Sequence, residues 1–398
     1  MSRAPRTADP AAGGGPLRAD RAAGPSARRA LLRCAAAAAC GALLPAAGAR
    51  AQAGPASDSG VLLLPAVRDG AAAADAPGLS IVGATDLPAF APVLRDYQRL
   101  HPEVAIRYQE FSTQELYRRA AGAPPPDRPA PTGDADLLVS SSMDLQARLV
   151  NDGHAQPHHS AATAALPAWA RWRDEVFGFS YEPMVIAYDA RRFGPGADLG
   201  PAPSGRQALL ALLRDPARPL AGRVGTYDLE ASGIGYLAAT QDARIDGGAG
   251  ALLAALADSR AVRARHAAVL LDALERGELA LAYNLPGAYV QGRIDAGAPL
   301  GMVLPQDYTL VIARTALIPR TAPHPAEARR FLDYLLSPRG QGVLAKESRI
   351  LPIRTDVPGV RHPTGALRPI PLGPGLLVYQ DRLKRARFLE AWNAGSAR

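Results

Sequence analysis

Hydrophobic positions along the chain fall into two alternating patterns. Leu79-Ser-Ile-Val-Gly-Ala84 is a short apolar run that ends in small residues, which predicts a buried strand. Phe90, Val93, Leu94, Tyr97 and Leu100 then recur at spacings of three and four, which predicts a helix with Pro88 in its first turn. Val104 to Tyr108 alternates as a strand does, and Gln114 to Ala121 reads as a helix. Five prolines between Gly122 and Gly133 predict a loop. The scheme then repeats. Asp136 to Ser140 precedes a helix over Met143 to Asn151, Arg223 to Asp228 precedes one from about Gly233, and Leu279 to Tyr283 precedes a break at Pro286. Val176–Asp189 and Tyr308–Ile318 are longer strand-like stretches, and Ala326 to Leu336 is an amphipathic helix with Phe331, Tyr334 and Leu335 inward.

Strand, small polar loop and helix in alternation predict an α/β fold with a parallel sheet covered on both faces. In such sheets ligands sit off the carboxyl ends of the strands. The loops that matter are then Ala84-Thr85-Asp86, Ser140-Ser141-Ser142, Leu229 to Gly233, and Tyr283 to Gly287.

Composition narrows the function. The 398 residues leave room for two to three domains at about 150 residues each. The formal charge of +8 first suggests a polyanionic partner, but eight arginines against two aspartates in the first 53 residues carry six of those charges. No nucleic-acid partner is implied. Cys34 and Cys40 are the only cysteines, so the body of the chain has no disulfide framework, no Cys-ligated zinc and no Cys nucleophile. A basic segment at Arg28-Arg29, an Ala/Leu-rich run from Cys34 to Ala49 and a small-residue site at Ala51-Gln52-Ala53 have the layout of a signal peptide over residues 1–53. The Arg pair leaves the twin-arginine and Sec routes both open. Residues 54–76, rich in Ala, Gly and Asp, are expected to be a flexible tether, and the mature protein is expected in the periplasm.

Motifs for chemistry are missing. The sequence has neither the G-x-x-x-x-G-K pattern of a phosphate-binding loop nor the G-x-S-x-G elbow of a hydrolase, which disfavours a secreted hydrolase and predicts a protein that is not an enzyme and needs no cofactor or metal. His154, His158 and His159 lie in a Gln/Pro/Ser-rich loop and read as solvated rather than metal-binding. Trp169 and Trp172 read as surface packing.

Several segments, taken in order, carry a likeness. They are Val82-Gly-Ala-Thr-Asp86, Asp136-Leu-Leu-Val-Ser-Ser-Ser142, Phe179-Ser-Tyr-Glu-Pro-Met-Val-Ile-Ala-Tyr188, Gly277-Glu-Leu-Ala-Leu-Ala-Tyr-Asn284, and Pro325 to Pro338. Over roughly residues 79–345 the chain resembles the periplasmic solute-binding proteins of ABC importers, of the two-lobed type 2 class that includes ferric-ion and organic-anion receptors. The resemblance implies two α/β lobes joined by two crossing strands that act as a hinge. The first lobe is then expected at 77–185 and 307–345, the second at 186–306, and a C-terminal segment, 346–398, is expected to pack on the lobes. The implied partners are a small-molecule solute and an inner-membrane ABC permease, with the receptor a monomer. A ligand-binding partner of a membrane sensor kinase would share the fold.

The resemblance and the loop positions together give the expected ligand contacts. They are Thr85, Asp86, Ser141, Ser142, Ser232, Gly233, Tyr283 and Asn284, with Tyr181 and Tyr308 on the crossing segments. Each also has a structural reading: Ser142 and Ser232 as helix caps, Asp86 as a turn residue, Tyr181 and Tyr308 as hinge or core groups. In the ferric-ion members adjacent paired tyrosines match the region of Tyr283 to Tyr289, whereas here the two tyrosines are six apart. Hydroxyl-rich loops at helix starts favour an anion, a carboxylate or phosphorylated organic solute, over a bare ferric ion.

Overall fold

The computed structural model describes residues 60–68, 71–73, 78–122, 135–218 and 220–394. The expected signal peptide and the proline-rich loop after Gly122 lie outside them. The described strands form two large sheets, each flanked by helices, and a small two-stranded one of Ala66–Arg68 with Ala71–Ala73. In the first, Gly78–Gly83 pairs in parallel with both Ala105–Glu110 and Leu137–Ser140. In the second, Val224–Tyr227 pairs in parallel with Val262–Ala264 and Leu281–Pro286. These parallel cores match the alternation seen in the sequence. The sheets as wholes are mixed, because the strands that connect the lobes run antiparallel to the cores: Thr315–Pro319 against Leu137–Ser140, and Glu182–Asp189 against Leu281–Pro286.

Two stretches depart from expectation. Within the expected tether, Val61–Leu64 is an edge strand paired antiparallel with Ala105–Glu110. Its Val-Leu-Leu-Leu core outweighs the surrounding Ala and Gly, and Leu62 and Leu64 pack on the first lobe's core. His158 is buried rather than solvated, and its ring sits 2.8 Å from Asp333 on helix Pro325–Leu336.

The first lobe's core is aromatic. Phe90, from helix Leu87–Leu100, is fully buried against Tyr108, Phe179 and Phe331, with ring centroids 5.4, 6.1 and 6.4 Å away. The second lobe's core is built from Leu, Ala and Tyr of its sheet and helices, and it continues into Met143, Ala147 and Val150 on helix Met143–Asn151. The C-terminal segment spans both. Leu367–Pro369 adds a strand to the second sheet beside Thr309–Ile312. Farther on, Gln380 donates to Asp144 at 2.5 Å, Tyr236 donates to the Tyr379 carbonyl at 2.6 Å, and Trp392 is buried.

Two short crossings join the sheets. Val176–Gly178 belongs to the first sheet and Glu182–Asp189 to the second, with Phe179, Ser180 and Tyr181 between them. The long apolar stretch from Tyr308 is likewise two strands, Thr309–Ile312 in the second sheet and Thr315–Pro319 in the first, broken at Ala313-Arg314. At this break the crossings hold each other. The Arg314 guanidinium donates to both Glu182 carboxylate oxygens, at 2.8 and 3.1 Å. Ser180 Oγ donates to Glu182 at 2.6 Å and accepts the Arg314 backbone N–H at 2.7 Å. Burial pulls the Arg314 pKa down, but the facing Glu182 carboxylate more than offsets this and holds it well above its ordinary value.

A buried pair of this kind costs most when one partner is removed. Arg314→Met is expected to lower unfolding free energy by about 3–5 kcal/mol, because Glu182 is left charged and unpaired. The double variant Arg314→Met with Glu182→Leu is expected to recover most of that loss. Denaturant unfolding of the three proteins checks it; a double variant no more stable than the single one would contradict the pairing.

Candidate functional site

The carboxyl ends of both parallel cores face one cavity of about 80 Å³. An ordered water needs roughly 10–15 Å³ on this scale, so the space suits a small solute of a few polar groups. The first lobe contributes Ala84, Asp86, Glu110, Ser112, Thr113 and Ser141; the second contributes Tyr227, Ser232, Arg265, His266, Pro286 and Tyr289. Arg314 reaches the cavity from the crossing.

Helix starts surround this space. Helices begin directly after Asp86, Ser112, Ser142, Ser232, His266 and Pro286. Each start has backbone N–H groups without intrahelical acceptors and a partial positive charge. Two are capped from within: Ser112 Oγ accepts from Glu115 N–H and Ser232 Oγ from Gly235 N–H, both at 3.2 Å. At the first helix, Glu110 supplies the anion, accepting the Leu87 N–H at 2.8 Å. The two walls therefore differ in charge. The first lobe presents the carboxylates of Asp86 and Glu110, and the second presents Arg265 and His266 at a helix start.

The lobes touch beside the cavity. Gly233 donates its N–H to Thr113 Oγ across the cleft at 3.1 Å. A Cβ at position 233 would lie 2.5 Å from Thr113 Oγ and 2.6 Å from Ser142 Oγ, so glycine is what permits this approach. Two tyrosines, Tyr227 and Tyr289, line the space. Burial, together with the Asp86 carboxylate, pushes both Tyr227 and Tyr289 well above the usual phenol range, while Arg314 opposes it. The Arg314 guanidinium stands 5.2 Å from the Tyr289 ring centroid.

The residues expected from the sequence divide into three groups. Asp86, Ser141 and Ser232 line the cavity. Thr85, Ser142 and Gly233 stand behind its wall. The Thr85 carbonyl accepts the Tyr108 hydroxyl, Ser142 Oγ donates to Asp144 at 2.8 Å, and Gly233 makes the contact across the lobes. Tyr283, Asn284, Tyr308 and Tyr181 lie elsewhere. The first three all donate to Asp242 inside the second lobe, each at 2.8 Å. Tyr181 packs edge-on against Trp169 and His362. Strand Leu281–Pro286 reaches the cleft only at its last residue, Pro286, and the lining tyrosine is Tyr289, in the first turn of the next helix.

Glu110, Thr113, Tyr227, Arg265, His266 and Arg314 also line the cavity and are not among the residues expected from the sequence. Glu110 and Thr113 lie at the end of a strand that enters the same sheet as Gly83, and Arg265 comes directly after Val262–Ala264, so the rule placing ligands after parallel strands applies to both. Arg314 carried no local signal, since a lone arginine within an apolar run is identified only by its distant partner.

Comparison with known proteins agrees with this architecture. The family model for bacterial extracellular solute-binding proteins matches residues 79–347. The substrate-binding protein of an ABC transporter from Agrobacterium tumefaciens is similar in structure, with a TM-score of 0.74 and 31% identity over 85% of this chain and 98% of that one. The periplasmic binding protein AfuA from Actinobacillus pleuropneumoniae, solved with fructose-6-phosphate, has a TM-score of 0.66 at 18% identity, covering 80% of this chain and 99% of its own. Iron-bound HitA from Pseudomonas aeruginosa has a TM-score of 0.61 at 19% identity over 80% and 99%. No curated protein sequence matches the chain. Two lobes of mixed α/β structure, a cleft at their strand ends and the family match lead to one conclusion: the chain belongs to the bacterial extracellular solute-binding proteins, the non-enzymatic two-lobed receptors of ABC transporters.

Proposed function

We propose that the protein is exported to the periplasm and binds a small solute with an anionic group, a carboxylate or phosphorylated organic molecule, for delivery to an inner-membrane ABC permease. The charge difference between the cavity walls carries this reading. The helix starts at Ser232 and His266, with Arg265 beside them, suit the anionic group. Asp86 and Glu110 opposite suit hydrogen-bond donors on the solute's other end. Contacts from both walls exist together only when the lobes are closed, so such a solute shifts the open–closed population toward closure.

A ferric ion or ferric complex is the second reading, favoured by the two tyrosines on the cavity. Against it stands the cost of forming a phenolate, since burial and the neighbouring carboxylate both raise the phenol pKa values and a ferric ion would have to displace that proton.

Calorimetric titration with inorganic phosphate, phosphate esters, carboxylates and neutral sugars tests the first reading. At least one anion is expected to bind, and Arg265→Ala is expected to weaken it by about 10- to 100-fold, as loss of a charge-assisted hydrogen bond would. Binding of neutral sugars alone, or an unchanged affinity in Arg265→Ala, would count against it. For the second reading, ferric nitrilotriacetate is expected to leave the protein without a tyrosinate charge-transfer band. A visible band lost in Tyr289→Phe would establish iron as the solute instead.

A further inference from the structure

Asp242 sits on helix Gly233–Ile245, well away from the cavity that the same helix opens onto at Ser232. It is buried, and its carboxylate gathers four side chains from three other parts of the second lobe. Arg206 Nε and the Tyr308 hydroxyl donate to one oxygen at 3.0 and 2.8 Å, and the Tyr283 hydroxyl and Asn284 Nδ2 donate to the other, each at 2.8 Å. The Arg206 guanidinium also stacks 3.6 Å over the Tyr308 ring and donates to the Tyr308 carbonyl at 2.5 Å. A carboxylate with four lone-pair sites filled in this way fixes its partners relative to one another.

One of those partners has an unusual backbone. Asn284 has φ of 61°, the left-handed region that side-chain-bearing residues other than Asn and Asp rarely enter. The register explains where this falls. Val185 pairs with Leu285 and Ala187 with Ala282, so Tyr283 and Asn284 together face the single residue Ile186. This is a bulge in a central strand, and a bulge re-aims the chain beyond it. That downstream chain carries Pro286 and, after one turn of helix, Tyr289, both on the cavity and the latter against Arg314.

We propose that Asn284 is a positioning residue: its left-handed backbone at the bulge sets the aim of Pro286 and Tyr289 into the cleft, so a residue that does not line the cavity governs solute affinity, and the amide contact with Asp242 is dispensable wherever the backbone adopts that conformation freely. The affinity part rests on the proposed role of the cleft, and the backbone part stands on the bulge alone.

Two variants separate the effects. Asn284→Ala removes the amide contact and strains the left-handed backbone, whereas Asn284→Gly removes the contact but accepts that backbone freely. Amide hydrogen exchange across the whole protein is the first readout. Asn284→Ala is expected to speed exchange at residues 290–293 by about tenfold or more, with helix Gly233–Ile245 unchanged, and Asn284→Gly to stay within about threefold of the parent. Calorimetric titration with inorganic phosphate is the second, with affinity expected to fall about tenfold in Asn284→Ala and to be restored in Asn284→Gly. Equal behaviour of the two variants, or acceleration spread evenly over the second lobe, overturns the proposal. If the parent protein binds no phosphate, a phosphate ester or carboxylate that it binds replaces it; if no anion binds, the proposed anion site falls, and the exchange pattern still decides the role of Asn284.

Discussion

Two short polypeptide crossings join the lobes beside the longer C-terminal passage, and one ion pair, Arg314 with Glu182, joins these two crossings. Both side chains are removed from water, the geometry is bidentate, and Ser180 fills a further position on the carboxylate. Arginine suits this place because its planar fork matches a carboxylate and stays charged when buried. The same guanidinium borders the solute cavity and lies beside Tyr289 of the second lobe. The tie between the two crossings therefore lies at the border of the cleft.

Around that tie the two walls are built alike and charged differently. Both use strand ends leading into helix starts, which gives each a ring of outward N–H groups. On the first lobe, Glu110 takes the Leu87 N–H and leaves a carboxylate-bearing surface with Asp86. On the second lobe, Arg265 and His266 stand where a helix dipole already favours negative charge. A solute with an anionic end and hydrogen-bond donors at the other would span the cleft and satisfy both walls. That is the condition for a ligand that closes the lobes, because only differential contact with the closed form shifts the population.

Much of the fold was legible in the chain. The period of three and four from Phe90 to Leu100 gave a helix that the structure shows over Leu87–Leu100, and the predicted helix Met143–Asn151 has the same bounds. Local patterns of burial determine such elements. The break at Ala313-Arg314 was not legible, because strand propensity continues across it and the break depends on which sheet each half joins. The site was half legible for a similar reason. Strand-end loops identified Asp86, Ser141 and Ser232, which line the cavity. Tyr283, Asn284 and Tyr308 have the same residue chemistry but face Asp242, and that carboxylate lies 41, 42 and 66 residues away in sequence. Residue type suggests what a side chain is able to hold, and only the packing of distant elements determines what it does hold.

A hinged receptor requires lobes that move relative to one another about the crossings tied by Arg314 and Glu182. Beyond Cys40 the chain has no cysteine, so spin labels are readily placed at two exposed positions, one on each lobe, through Arg118→Cys and Val269→Cys. Pulsed electron resonance then reports the distance between them. Two distances are predicted in the free protein, with the shorter gaining population as inorganic phosphate or a phosphate ester is added. A single narrow distance, unchanged by every anion tried, would contradict a hinged receptor.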